Sequence, residues 1–209
     1  DKVIDAKGNV VVPGFVDTHH HHRESLARGM ADDVSLPVLC ERLYPFDAAI
    51  SEQDMYLSAM LSCIEHIRLG TTCSLDPGGP HMDAVGQAIA DSGLRGMISY
   101  FGADFFTKDI KESQDARAVP EYMARRSTEE VLAEEERLFR RWNGAAGGRI
   151  RFCYGLHRDV QVSPRLFKEI KRLADRDGTI IQMHGAVTPE RAQWFRKTHG
   201  LPLVEFLES

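Results

Sequence analysis

A chain of 209 residues, 43% hydrophobic and 27% charged, is long enough to bury one sizeable core. Its net charge of −5, from 26 basic and 31 acidic residues, supplies no basic field for nucleic acid and no preference for anionic membranes, which leaves small-molecule chemistry as the default. No apolar run approaches the roughly 18 residues of a membrane span, no signal peptide is visible, and Cys40, Cys63, Cys73 and Cys153 show neither C-x-x-C nor disulfide-framework spacing, so a reducing, cytoplasmic setting is expected.

In chain order, Val3-Ile4 and Val10-Val11-Val12 flank Lys7-Gly8-Asn9, a small hairpin-like signal. A Pro13-Gly14 turn then opens Phe15-Val16-Asp17, a short strand that runs into His19-His20-His21-His22. Alternate side chains of a strand share a face, so His19 with His21, or His20 with His22, can point at one ion while the other pair faces away. A tag remnant would sit at a terminus and would lack strand chemistry before it. Ser51-Glu52-Gln53-Asp54 offers an N-cap, and Leu57, Met60, Leu61, Ile64 and Ile67 keep helical spacing as far as Gly70. Thr71 to Leu75 reads as the second strand, His81 to Ser92 as a helix closed by Gly93, and Gly96 to Phe101 as the third strand.

The stretch from Gly102 to Arg126 is the longest irregular one, and long loops of compact domains often act as lids. Ser127-Thr128-Glu129-Glu130 is a capping box for a helix to Trp142, and the glycines at 144, 147 and 148 turn the chain into a fourth strand ending near Tyr154-Gly155. That glycine cluster lacks both the spacing and the preceding strand of a nucleotide loop. Ser163-Pro164 caps a helix with Leu166, Phe167, Ile170 and Leu173 inward; Gly178 releases it into a fifth strand, Thr179 to Met183, and Thr188-Pro189 opens another helix ending near Gly200. Five strand-helix units are thus expected, against the eight and about 250 residues of a closed (β/α)8 barrel. The rival is a complete doubly wound sheet. The position of the fifth strand's C-terminal end relative to the first strand's separates the two, because opposite strand ends face each other only across a barrel mouth.

Pro13-Gly14-Phe15-Val16-Asp17-Thr18-His19-x-His21 resembles the first-strand signature of the amidohydrolase superfamily, in its cytosine-deaminase-like and triazine-hydrolase-like branch. The resemblance continues through Ser25 to Asp33, Gly70 to Asp76, Leu156-His157 and Gln182-Met183-His184, five stretches in the right order over nearly the whole chain. It implies a TIM-type (β/α)8 barrel of which about the first five β/α units are present, with 1–12 the remnant of a small β-domain and 13–209 the N-terminal part of the barrel. It selects His19, His21 and His184 as ligands of one divalent ion, zinc or iron, with a position left open as catalytic sites require. Such an ion lowers the pKa of water from 15.7 to about 7, and in the resembling enzymes the resulting hydroxide attacks an electrophilic ring carbon and expels ammonia, an amine or chloride. His157 matches a histidine that faces the substrate, and is the candidate catalytic and substrate-binding residue.

The sequence also departs from the pattern. Deaminating members carry an acid in an H-x-x-E motif on the fifth strand, whereas His184-Gly185-Ala186-Val187 places valine there. A positioned general acid contributes about 10^2 to 10^4-fold, and nearby Glu190 falls on the next helix. The later metal-site histidine and aspartate of the family have no counterpart, so this stretch by itself lacks part of the expected site. No lysine stands on the fourth strand to bridge two ions, which favours one. Asp76 and Asp104 follow strands at the expected mouth; Asp76 is read as bracing the Pro77-Gly78-Gly79 turn. Arg28, Asp32 and Asp33 are read as salt-bridge or helix-end residues, and His66, His81 and His199 as surface or capping residues. The expected activity is metal-dependent hydrolysis of a C–N or C–halogen bond in a small heterocyclic substrate, compatible with a homo-oligomer and with neither nucleic acid nor membrane as partner. The alternative is a non-catalytic metal-binding scaffold or inactive fragment.

Overall fold

The computed structural model describes residues 3–104 and 126–208. Among the described residues six short strands form, β1 (Phe15–Asp17), β2 (Thr71–Asp76), β3 (Arg95–Ile98), β4 (Ile150–Phe152), β5 (Tyr154–Arg158) and β6 (Ile181–His184), and every paired couple is parallel. They run in the order β1-β2-β3-β4, with β5-β6 assigned as a separate pair. The expected fourth strand is β4 and β5 together, broken at Cys153. There the Cys153 amide donates to the Ile98 carbonyl (3.0 Å) while the next amide, of Tyr154, donates to Ile180 (3.1 Å), so the backbone changes neighbour within one residue. A parallel bridge between Gly102 and Leu156 carries contact with the β3 side past the break. A Cβ on Gly155 would collide with the Tyr100 carbonyl, so the close approach of these two backbones requires glycine there.

Helices alternate with the strands, as short parallel connections demand. α1 (Leu36–Ala49) precedes α2 (Glu52–Arg68); α3 (Met82–Ser92), α4 (Thr128–Trp142), the four-residue turn α5 (Ala145–Gly148), α6 (Pro164–Asp177), α7 (Pro189–His199) and α8 (Leu203–Glu208) follow. The caps form where the sequence places them. Ser51 and Asp54 exchange bonds at the start of α2, Ser127 and Glu130 do so for α4, and the Ser163 hydroxyl accepts from Leu166 N (3.1 Å). Leu166, Phe167, Ile170 and Leu173 are buried as expected, each contributing about 1.5–3 kcal/mol. They join one core with Ile89, Ile98, Leu138, Ile150, Phe152 and Tyr154.

Three sequence expectations change. α2 does not bury its apolar stripe: Leu57, Leu61, Ile64 and Ile67 are exposed, and the inward face is Met55, Ser58, Ala59, Ser62, Cys63 and His66. Small side chains win there because the helix lies close against the histidine run, where Ser58 and Ser62 make hydrogen bonds. Helix α1, with Pro45 inside it, lies where no helix is expected from periodicity. Residues 3–12 turn at Lys7-Gly8 but form no strand. Most of the long 102–126 stretch lies outside the described residues. No helix among them is long and apolar enough to cross a membrane.

Candidate metal centre

Backbone bonding keeps the chain extended beyond β1. The His20 amide donates to Leu75 O (2.8 Å), continuing the β1–β2 ladder, and Asp17 Oδ1 accepts from the His19 amide (3.1 Å). The imidazoles therefore alternate. His19 and His21 turn one way and meet His184 at the end of β6, while His20 and His22 turn the other way towards His66 on α2.

In the first group one ring nitrogen from each of His19, His21 and His184 lies within 4.8 Å of the others, and His19 Nε2 stands 3.2 Å from His184 Nε2. The first and last strands thus meet at their C-terminal ends, as in a curled sheet and not an open doubly wound one. Gln182 of β6 supports the curl, because its amide donates across to Pro77 O (2.6 Å) just after β2.

Electrostatics leave the His21 and His184 rings neutral, the form that binds metal. Burial first, then neighbouring positive charge, lowers the pKa of His184 to about 4, against a partial rise from its bond to the His157 carbonyl. Burial and then the Arg23 guanidinium hold His21 well below the usual imidazole range. His184 Nδ1 faces the His157 carbonyl oxygen (3.0 Å), which can only accept, so Nδ1 carries the proton and Nε2 keeps a lone pair towards His19. This part of the set fits a divalent ion. His21 adds a condition: Arg23 Nη1 donates to its Nδ1 (2.6 Å), which leaves the proton on Nε2, so ligation by His21 requires its ring to turn or Arg23 to withdraw. Turning the ring is the smaller change. Arg23 is buried and fixed by Asp47 through Nε (3.0 and 3.1 Å) and by the Gly78 carbonyl (3.0 Å).

His157 lies inside β5, buried against Phe101 with ring centroids 4.2 Å apart and 6.1 Å from the His184 ring. Its Nδ1 has no hydrogen-bond partner among the described residues, and burial, followed by the Arg158 charge, holds its pKa well below the ordinary value. The Asp159 carboxylate accepts from Ala186 N (2.8 Å) and fixes the turn after β6, where Ala186 has φ 48°. Val187, next in line, is exposed.

Asp76 braces its turn as expected, accepting from Gly78 N (2.7 Å), and also holds His22 through its amide (3.0 Å) and Nδ1 (2.9 Å). Asp104 is spent on Thr128 and Ser163. Arg28 pairs with Glu65 at the surface. His81, in the left-handed region, precedes α3, and His199 ends α7 against Phe195. His66 is a correction: it is buried, not a surface or capping residue, and faces Asp17 at 3.3 Å. Arg23 and Asp47 escape the sequence reading altogether. Arg23 follows the histidines directly, but only the unforeseen helix α1 shows where its charge is met.

The sequence profile of the amidohydrolase family matches residues 10–209. The chain belongs to that family. Among curated relatives, the 5'-deoxyadenosine deaminase of Methanobrevibacter smithii is 34% identical over 100% of this chain and 44% of its own length. The 5-methylthioadenosine/S-adenosylhomocysteine deaminase of Caldanaerobacter subterraneus is also 34% identical, again over 100% of this chain and 44% of the relative. The chain therefore spans less than half the length of these relatives. Among solved amidohydrolases, a zinc-bound adenosine deaminase from Xanthomonas campestris superposes with a TM-score of 0.78 at 23% identity, over 94% of this chain and 41% of the other. A zinc complex of atrazine chlorohydrolase from Arthrobacter aurescens gives 0.77 at 18% identity, over 94% and 45%. At these identities the likeness establishes the fold, a partial TIM-type (β/α)8 barrel whose strand ends carry the three histidines.

Proposed function

We propose that this chain supplies the first β/α units of a zinc-dependent hydrolase that removes an amino group from a small nitrogen heterocycle, an adenine nucleoside being the substrate class. The observation that carries the reading is the convergence of His19, His21 and His184 within 4.8 Å at the ends of the first and last strands. The names of the relatives at 34% identity support the substrate class, and the zinc in two superposed structures supports the ion. A divalent ion held by three imidazoles acts as a Lewis acid and makes hydroxide available at neutral pH.

The chain's own residues do the rest. The buried Arg23–Asp47 pair places a fixed positive charge beside His21, whose ring turns from Arg23 to ligate, and the His157 carbonyl fixes the His184 tautomer. His157 is the substrate-facing residue in this reading: its unpartnered Nδ1 offers a hydrogen bond to a ring nitrogen or exocyclic group, and Phe101 holds its plane. The described residues at the H-x-x-E position offer no acid, because Val187 cannot carry a proton. That observation favours a second reading, displacement of chloride, which departs without one.

Ammonia and chloride release by the zinc-loaded protein, on matched amino- and chloro-purines and triazines, tests both. Amine release that vanishes in His157→Ala at unchanged zinc content supports the first reading, and chloride release alone supports the second. Full zinc occupancy with neither product makes the centre a scaffold.

A further inference from the structure

The outward face of the histidine run holds a second constellation. The geometry points to Asp17, His20 and His66 as a second divalent-cation site, separate from the first and structural in role, suited to zinc. The two clusters lie on opposite sides of one extended segment, one between the strand ends and the other between β1 and α2. The relevant atoms are His20 Nδ1, 3.6 Å from Asp17 Oδ2, and His66 Nε2, 3.3 Å from the same oxygen. A tetrahedral zinc with N and O ligands at about 2.0–2.1 Å has ligand–ligand edges of about 3.4 Å, so the two edges to Asp17 need almost no adjustment, and one ligand atom from each of the three residues lies within 4.8 Å of the others. The donor set, two imidazoles and a carboxylate, is one that zinc uses.

The hydrogen bonds behind the three atoms set their charge. His66 Nδ1 lies 2.8 Å from the Ser62 carbonyl oxygen, which only accepts, so Nδ1 carries the proton and the Nε2 lone pair is turned on Asp17 Oδ2. His20 Nε2 reaches the Ser62 hydroxyl at 2.6 Å, a partner that can donate or accept; where the hydroxyl accepts, the His20 Nδ1 lone pair also faces the carboxylate. The His66 lone pair at 3.3 Å repels the carboxylate unless a cation stands between them, and in that His20 tautomer the contact at 3.6 Å does so as well. A proton on His66 relieves one of the two contacts; one metal ion relieves both. Second partners that fix the tautomers of ligand histidines are what a metal site requires. His66 is buried while Asp17 and His20 side chains keep 35% and 31% exposure, which leaves an entry path and room for water as the fourth ligand. Asp17 Oδ1 meanwhile accepts from the His19 amide, so an ion on Oδ2 stiffens the backbone that presents the first cluster.

The test is metal stoichiometry of the whole chain, demetallated and titrated with Zn2+ and with Co2+, whose visible spectrum reports tetrahedral nitrogen and oxygen ligation. Two ions are expected. His66→Gln and, independently, Asp17→Asn, which keeps the Oδ1 acceptor, should each bind one, His184→Ala should bind one, and His184→Ala with Asp17→Asn none. Far-UV circular dichroism qualifies each variant as folded. One ion in the parent protein, lost with His184→Ala and kept in Asp17→Asn, overturns the second site without touching the first. Two ions retained in folded Asp17→Asn and His66→Gln overturns it as well.

Discussion

The two faces of the His19–His22 segment have the same chemistry and opposite surroundings. Inward, His19 and His21 meet a histidine 163 or more residues away and have no carboxylate partner among the described residues; His21 accepts from the Arg23 cation, fixed by Asp47. Outward, His20 and His22 meet Asp17, Asp76 and the small polar side of α2, so each imidazole stands against a carboxylate or a hydroxyl. Rings gathered without an anion leave their lone pairs to an exchangeable ion, whereas rings paired with carboxylates hold structure together. Perturbation of the inner face should therefore change activity, and of the outer face stability.

The largest effect is expected from His184→Ala. Losing a ligand should exceed the roughly 10–100-fold cost of losing a supporting partner, so turnover falls by well over about 100-fold while the melting temperature of the metal-free protein hardly changes. An inner-face substitution that melts the metal-free protein would erase the contrast. Next is Val187→Glu, which places a carboxylic acid beside the inner face. It should raise release of an amine by up to about 10^2 to 10^4-fold in kcat/KM and leave release of chloride nearly unchanged. Equal responses on matched amino and chloro substrates would remove Val187 from the acid position.

On the outer face, Asp76→Ala leaves buried His22 without its partner and should cost roughly 3 kcal/mol in urea unfolding, with zinc affinity at the first cluster changed much less. The smallest effect concerns a region remote from both faces. Glu135 is buried in α4, accepts from Gly155 N (3.1 Å), and burial raises its pKa well above 4.5. A raised carboxyl binds its proton more tightly in the folded state, so the stability it allows is present below about pH 4.5 and is lost as pH rises above that value. Glu135→Gln should then stabilise the protein by about 1–2 kcal/mol at pH 8 and by little at pH 4, as measured by unfolding at both pH values. A pH-independent effect would mean that Glu135 is paired when ionised.

Legibility followed the range of the interaction. Local signals transferred well: the capping boxes at Ser51 and Ser127, the Ser163 cap and the inward face of α6 all form, because each depends on residues within one or two turns. The α2 stripe did not transfer. Helical spacing shows which residues share a face, but the neighbour decides which face is covered, and here it is a histidine segment that accepts serines at close range. His66 was misjudged for the same reason, since its partners Asp17 and His20 lie more than 45 residues away.

Strand alternation in the sequence by itself determined that the four histidines split into two pairs with opposite directions, a consequence of the period of two in extended backbone. The family motif added which pair would meet His184. Only the tertiary structure decided what each pair meets. The β6 end brings His184 to 3.2 Å from His19, α1 delivers Asp47 to Arg23, and α2 delivers His66 to Asp17. Those contacts arise from how strands and helices close around a shared core, and packing at that range leaves no periodic trace in the chain that makes it.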